Sequence, residues 1–252
     1  MVENDIKIVL KDNYKEVKSP TVIVGLPSTG LVGLISALHI IETMEMEYCG
    51  YVESKRFPPI ILIHNSELAL PLRIYQKDKM LVIISEISLP TEPEIINDIT
   101  SVLADWVKSL DPEYILILRG NPIPNRMNIE VPNCYGLGTS EKLNNLLDKV
   151  ECGIMEHGII TGIDALLMWE CSKQNLPAIT LATDAFPNLP DPGAAAVVID
   201  KINKILGIYI DPAKLIENAE DLRIKMRDMM KNTAAQQAHL QSKEFQIPPM
   251  YG

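Results

Sequence analysis

A glycine-rich turn precedes the first predicted helix and is the clearest candidate for ligand chemistry. It spans Gly25–Gly33 and follows an apolar run. Such turns bind anions, because free backbone N–H groups and the helix dipole point outward. The candidate anion-binding residues are Gly25, Ser28, Thr29 and Gly30. However, Leu31 and Val32 stand where a P-loop has Lys and Ser or Thr. A tight turn in which Gly33 allows close helix packing is therefore the alternative interpretation.

Two acidic residues, Glu86 and Asp184, stand at the carboxyl ends of predicted strands. Ligand crevices of open α/β sheets form there, and two carboxylates could serve as acid and base. Acidic residues also occupy such ends simply because the strands meet water. Arg119, Asn121 and Arg126 follow another predicted strand. They could bind an anion or pair with acidic residues on the surface.

The sequence lacks the patterns of metal-dependent and covalent catalysis. Its four histidines are scattered without an H-E-x-x-H motif, its four cysteines form no C-x-x-C pair, and no G-x-S-x-G elbow occurs. We therefore expect no metal and no cofactor. The cysteines are expected to be small buried apolar residues.

The last three residues, Met250, Tyr251 and Gly252, form a second candidate site. Pro248 and Pro249 precede them and prevent a helix from continuing. A tail that ends in an apolar residue, a tyrosine and a free carboxylate suits insertion into a pocket, where the carboxylate could contact a lysine. A disordered chain end is the alternative interpretation.

Residues 213–240 contain neither glycine nor proline, and they predict one long helix. Residues at alternating four- and three-residue steps form a heptad seam. Its members are Leu215, Ala219, Leu222, Met226, Met229 and Thr233. The seam packs either on the domain's own core or on a second subunit, and the sequence leaves both open.

Apolar runs alternate with helical stretches over the rest of the chain, which predicts an α/β fold with a mostly parallel central sheet flanked by helices. The runs that predict buried strands are Thr21–Val24, Ile60–Ile63, Leu81–Ile84, Tyr114–Leu118 and Ala178–Leu181, and Leu68–Tyr75 suits an edge or hairpin strand. The helical stretches are 31–44, 94–110, 140–150, 163–175 and 193–206. We expect a core domain over 1–211, a helix over 212–240 that could serve oligomerisation, and an extended tail over 241–252.

Composition excludes several classes of partner. The 252 residues include 23 basic and 33 acidic ones, a net charge of −10, and only 5% are aromatic. General binding to nucleic acid or to anionic membranes needs a basic face, and base stacking needs aromatic rings.

No apolar stretch reaches the ~20 residues of a membrane span, and the first residues do not resemble a signal peptide. We expect a cytoplasmic protein.

Two segments together resemble a known family. The turn Gly25–Gly33 and the segment Ala182–Ala196, with the helix after it and Gly207–Asp211, are similar to archaeal homologues of the proteasome-assembly chaperones. The resemblance extends over about residues 6–240. The family often has glycine where Ser28 stands, a difference that concerns the turn and not the tail.

The resemblance implies a nucleoside-phosphorylase-like fold without that chemistry. Family members often end in an apolar residue, a tyrosine and any residue, a tail that docks between α-subunits of the 20S proteasome. Met250, Tyr251 and Gly252 match that pattern. Some members open the core-particle gate without ATP, and others assist assembly or act as adaptors. A homo-oligomer, with a tetramer or pentamer favoured, is expected. The alternative is a nucleoside- or phosphate-binding enzyme that uses the Gly25–Gly33 turn.

Overall fold

The computed structural model describes residues 5–64, 66–90 and 92–227. Its strands are β1 (Lys7–Leu10), β2 (Thr21–Gly25), β3 (Glu47–Glu53), β4 (Leu62–His64), β5 (Glu67–Ala69), β6 (Leu72–Lys77), β7 (Met80–Ser85), β8 (Tyr114–Pro122), β9 (Cys134–Gly138), β10 (Gly153–Ile154) and β11 (Ala178–Ala185). Its helices are α1 (Val32–Thr43), α2 (Pro93–Ser109), α3 (Glu141–Lys149), α4 (Ile163–Lys173), α5 (Pro192–Leu206) and α6 (Ala213–Glu217).

Nine strands form one mixed sheet in the order β1-β3-β6-β7-β2-β8-β11-β9-β10. The central strands β7, β2, β8 and β11 are parallel, whereas β1, β3, β6 and β7 pair antiparallel, as do β11 and β9. The α/β prediction is confirmed, but the prediction of a mostly parallel sheet was wrong. Only Asp78 and Lys79 separate β6 from β7, and so short a connection joins only antiparallel strands. The likeness to nucleoside phosphorylases stays a prediction.

Helices cover both faces of the parallel centre. The helices α1 and α5 pack on one face, while α2 and α4 pack on the other. Along β8, Leu116 and Leu118 face the first pair of helices, whereas Ile115 and Ile117 face the second. This burial on both faces explains why the central strands read as continuous apolar runs. Within the ranges given above, no helix is both long enough and apolar enough to cross a membrane.

The run Ile60–Ile63 was wrongly predicted as a buried strand. Strand β4 pairs only with β5, in a separate two-stranded sheet, and Ile61 and Ile63 are 55% and 80% exposed. In the large sheet, the strand beside β6 is β3 instead. That strand was not predicted, because a glycine interrupts its apolar residues, acidic residues stand at both ends, and no continuous β-branched run results.

The segment after α5 differs from the single long helix that the sequence predicts. A turn at Asn218 separates α6 from the helical residues 219–227, as suits a residue whose side chain competes for backbone hydrogen bonds. Leu215, Leu222 and Met226 join the core on the side of α1 and α5. This part of the seam therefore packs on the chain's own body. Met229, Thr233 and the range 228–240 lie outside the described residues, so the predicted domain boundaries stay a prediction.

Two glycines allow the turn after β2 to approach β8. A Cβ atom on Gly33 would overlap the carbonyl oxygen of Leu118, and one on Gly120 would overlap the carbonyl oxygen of Thr29. In both cases the obstacle is backbone, which cannot rotate away as a side chain can. The structure therefore supports the packing role of Gly33.

We expect the Gly120→Ala variant to lose about 1–3 kcal/mol of unfolding free energy, because the added methyl group must push two backbone segments apart. Urea unfolding of the purified protein measures this loss. The matched control is Gly158→Ala, since a Cβ atom there meets no other atom within 4 Å. Equal stability of the two variants would contradict the close approach.

Candidate functional site

The glycine turn packs against other segments of the same chain. Gly30 and Leu31 are buried and have left-handed backbone conformations, with φ angles of 64° and 51°. The backbone N–H of Gly120 donates to Ser28 Oγ at 3.4 Å, and that of Asp191 donates to the Gly30 carbonyl at 2.8 Å. These contacts favour a structural role for the turn. An anion site at Gly25, Ser28, Thr29 and Gly30 stays a prediction.

Asp191 joins the turn to the segment that precedes α5 through its backbone N–H, and its carboxylate binds Arg126 and the start of α5. It accepts hydrogen bonds from Arg126 Nε at 2.8 Å and Nη2 at 3.1 Å. It also accepts from the backbone N–H groups of Phe186 at 3.2 Å and Ala194 at 3.0 Å, the latter as the N-cap of α5. Asp191 is completely buried. The two segments that carry the family resemblance thus meet at the buried residue Asp191, whose ion-pair partner Arg126 lies outside both segments.

Glu86 and Asp184 do not share a site. Glu86 follows β7 and forms an ion pair with the buried guanidinium of Arg73 on β6. Asp184 lies on β11, and β2 and β8 separate β7 from β11. At a strand spacing of ~4.8 Å, the two strands lie about 14 Å apart. This geometry does not favour joint acid–base chemistry.

Asp184 instead lies in a cavity of about 390 Å³ at the carboxyl ends of β8 and β11. Its carboxylate accepts hydrogen bonds from Asn121 Nδ2 at 3.0 Å and Asn133 Nδ2 at 3.2 Å. Arg119 and Asn121 line the same cavity, whereas Arg126 is engaged with Asp191. The structure therefore brings together three of the residues named from the sequence. Sequence reasoning missed Tyr135, which also lines the cavity, because β9 was not predicted.

Asp164 is a second buried carboxylate near this cavity, in the first turn of α4. It is 4% exposed, and its Oδ1 has no hydrogen-bond partner within the described ranges. Burial raises the pKa of Asp164 to about 7, although the Arg119 guanidinium lowers it. No signal in the sequence distinguishes this aspartate from an exposed one.

All four cysteines are buried and free, as the sequence predicts. The Cys152 thiol donates to Cys134 Sγ at 3.7 Å, and this contact, together with burial, raises the pKa of Cys152. Residues 5–64, 66–90 and 92–227 contain no cluster of His, Cys, Asp and Glu that could hold a metal ion. Met250, Tyr251 and Gly252 lie outside the described residues.

Comparisons with known proteins give a consistent result. The sequence matches the PAC2 family over residues 22–230. An uncharacterized protein of Methanocaldococcus jannaschii is 27% identical over 237 residues, which cover 94% of each chain. The crystal structure of Pyrococcus furiosus PbaA, an archaeal homolog of proteasome-assembly chaperone, is 32% identical with a TM-score of 0.83, covering 91% of this chain and 98% of that one.

The crystal structure of Pyrococcus furiosus PbaB, an archaeal proteasome activator, is also similar. It has a TM-score of 0.75 at 23% identity and covers 89% of this chain and 98% of that one. This second likeness shows that the fold is shared.

We expect Asp191→Asn to lower the unfolding free energy by about 3–5 kcal/mol, because the buried Arg126 guanidinium would lose its counter-charge. Urea unfolding measures this loss. The control is Glu220→Gln, which breaks an exposed ion pair with Arg223 and should cost less than about 1 kcal/mol. An Asp191→Asn variant no less stable than this control would contradict the structural role of the pair.

Because of Asp164, the free energy of unfolding should fall as pH rises. The pKa rises on folding from 3.8 to about 7, so the folded protein keeps a proton through a window in which the unfolded chain has lost it. Stability contributed by this group therefore falls as pH rises between those two values. The amide in the Asp164→Asn variant cannot ionise. From about pH 5 to pH 8, the unfolding free energy of this variant should therefore fall less than that of the wild type.

Urea unfolding at both pH values measures this difference. The exposed Asp148→Asn on α3 serves as the control and should follow the wild type. Parallel pH profiles for Asp164→Asn and the wild type would show that Asp164 titrates normally.

Proposed function

Because this chain belongs to the PAC2 family, we propose that it is a chaperone-like protein that binds the 20S proteasome core particle and assists its assembly or opens its gate without ATP. The observation that carries this proposal is the likeness to PbaA, at 32% identity over 91% of the chain. At that identity the shared fold extends over nearly the whole protein. The function requires no cofactor and no catalytic residue.

The proposed contact is the carboxyl terminus, docked between α-subunits of the 20S ring. Tyr251 is the anchor, because its ring buries apolar area and its hydroxyl can form one hydrogen bond. Met250 adds apolar surface beside it, and the carboxylate of Gly252 forms a charge-assisted contact with a lysine. A tail over residues 241–252 could span up to ~40 Å when fully extended. A tail of this length can reach a partner without any movement of the core.

One tail alone should bind weakly. Burying a tyrosine and pairing a carboxylate contribute a few kcal/mol each at most, while ordering each tail residue costs about 1–2 kcal/mol. Several tails presented together raise the apparent affinity by about 10²–10⁴. The proposal therefore includes a homo-oligomer, with a tetramer or pentamer favoured. The inner part of the heptad seam is occupied within the chain, since Leu215 and Met226 are buried in its own core.

The alternative, a nucleoside- or phosphate-binding enzyme that uses the Gly25–Gly33 turn, has less support. The turn is covered by Asp191, and Glu86 is engaged with Arg73. A thermal-shift panel of nucleosides and nucleotides tests it, because a ligand that binds the folded state raises the melting temperature.

We expect deletion of Met250–Gly252 to abolish binding to an archaeal 20S core particle, and Tyr251→Ala to weaken it by at least about tenfold through lost burial. Biolayer interferometry with immobilised core particle measures the affinity. Hydrolysis of a fluorogenic peptide reports gate opening, and core-particle formation from separate α- and β-subunits reports assembly.

The matched control is Tyr209→Ala, which removes a tyrosine that is 81% exposed on the described body. This variant should bind as the wild type does. Unchanged binding after deletion of Met250–Gly252 would contradict the tail as the contact, and no binding by the intact chain would contradict the proposed function itself.

A further inference from the structure

The cavity at the carboxyl ends of β8 and β11 has the form of a small-molecule site. Its volume of about 390 Å³ lies within the range of protein ligand pockets. The carboxyl ends of parallel strands are also where ligands bind in open α/β sheets. The residues that line the pocket in the described part of the chain lie between Arg119 and Asp184, and a ligand site here does not rest on the proposed function.

Arg119 supplies an unused hydrogen-bond donor at this cavity. Its side chain lines the pocket and is only 8% exposed. Its Nη1 atom is buried and has no hydrogen-bond partner among residues 5–64, 66–90 and 92–227. A buried donor without a partner is costly, although the neighbouring Asp164, whose pKa the Arg119 guanidinium lowers, offsets part of the positive charge. An oxygen anion of a ligand would satisfy it with a charge-assisted bond.

Asp184 supplies the complementary acceptor. The amides of Asn121 and Asn133 each donate one hydrogen bond to it, which leaves further acceptor capacity on both carboxylate oxygens. Glu156 adds a second negative charge at the rim, where His157 also lies. A phosphate dianion would face these carboxylates, whereas a ligand with one negative and one positive group matches both Arg119 and Asp184.

Apolar residues form much of the remaining wall. Ile123, Ile154 and Ile160 line the cavity together with the ring of Tyr135. These side chains offer apolar area to a ligand and form no ionic contact with it. They favour an apolar side chain on the ligand.

From these observations we propose that this cavity binds a free α-amino acid with an apolar side chain. The ligand's carboxylate pairs with Arg119, its ammonium group with Asp184, and its side chain with the isoleucine wall. This binding step involves no covalent chemistry.

Isothermal titration calorimetry of the full-length protein with leucine, isoleucine, methionine and phenylalanine tests the proposal. We expect at least one of them to bind with a Kd below about 1 mM, a modest affinity for so small a ligand. The amide of that amino acid lacks the carboxylate, and the matching deaminated acid lacks the ammonium group. Each should bind at least about tenfold more weakly.

The variants Arg119→Met and Asp184→Asn should each lower the affinity at least about tenfold. The exposed Arg227→Met serves as the control and should leave it unchanged. If Arg119→Met does not fold, as judged by circular dichroism, the comparison of ligands on the wild-type protein still decides the question.

Three results would overturn the proposal. The first is that none of the four amino acids binds below about 10 mM. The second is that the amide and the deaminated acid bind as tightly as the amino acid. The third is tighter binding of the dipeptide leucyl-leucine, which separates the two charges by a residue and would assign the cavity to peptides.

Discussion

The buried residue Asp191 is the constraint on which the packing of three distant segments depends. Through its side chain it accepts hydrogen bonds from Arg126, Phe186 and Ala194, and through its backbone N–H it binds Gly30. One residue thereby fixes the turn before α1, the start of α5 and the segment after β8. A charge in this position is stable only while Arg126 pairs with it, so the ion pair ties the segment after β8 to the start of α5.

This junction explains why two distant sequence segments carry the family resemblance. The glycine turn allows α1 to approach β8, and the segment around Asp191 covers that turn and caps α5. The residues that carry the family resemblance thus build the body, and two of them, Ala182 and Asp184, also line the cavity. A body fixed in this way leaves the cavity of Arg119 and Asp184 available for a small ligand.

Much of the fold could be predicted from the sequence, and the failures have physical causes. The strands β2, β7, β8 and β11 are buried on both faces and read as apolar runs, and the five helices from α1 to α5 lie where capping and breaking residues predict them. The strands β3 and β9 were missed because edge and near-edge strands have mixed composition. Asp184 was named from its position at a strand end. Its separation from Glu86 depends on strand order, which no local pattern encodes.

The central claim is that the carboxyl terminus contacts the α-ring of the 20S core particle. The most direct test is photo-cross-linking. A protein that carries a benzophenone-bearing amino acid at position 251 is mixed with intact core particle and irradiated, and the cross-links are identified by mass spectrometry. The account predicts cross-links to the α-subunits, at the surface between neighbouring copies. Cross-links that map only to this chain's own body, in the presence of core particle, would contradict it.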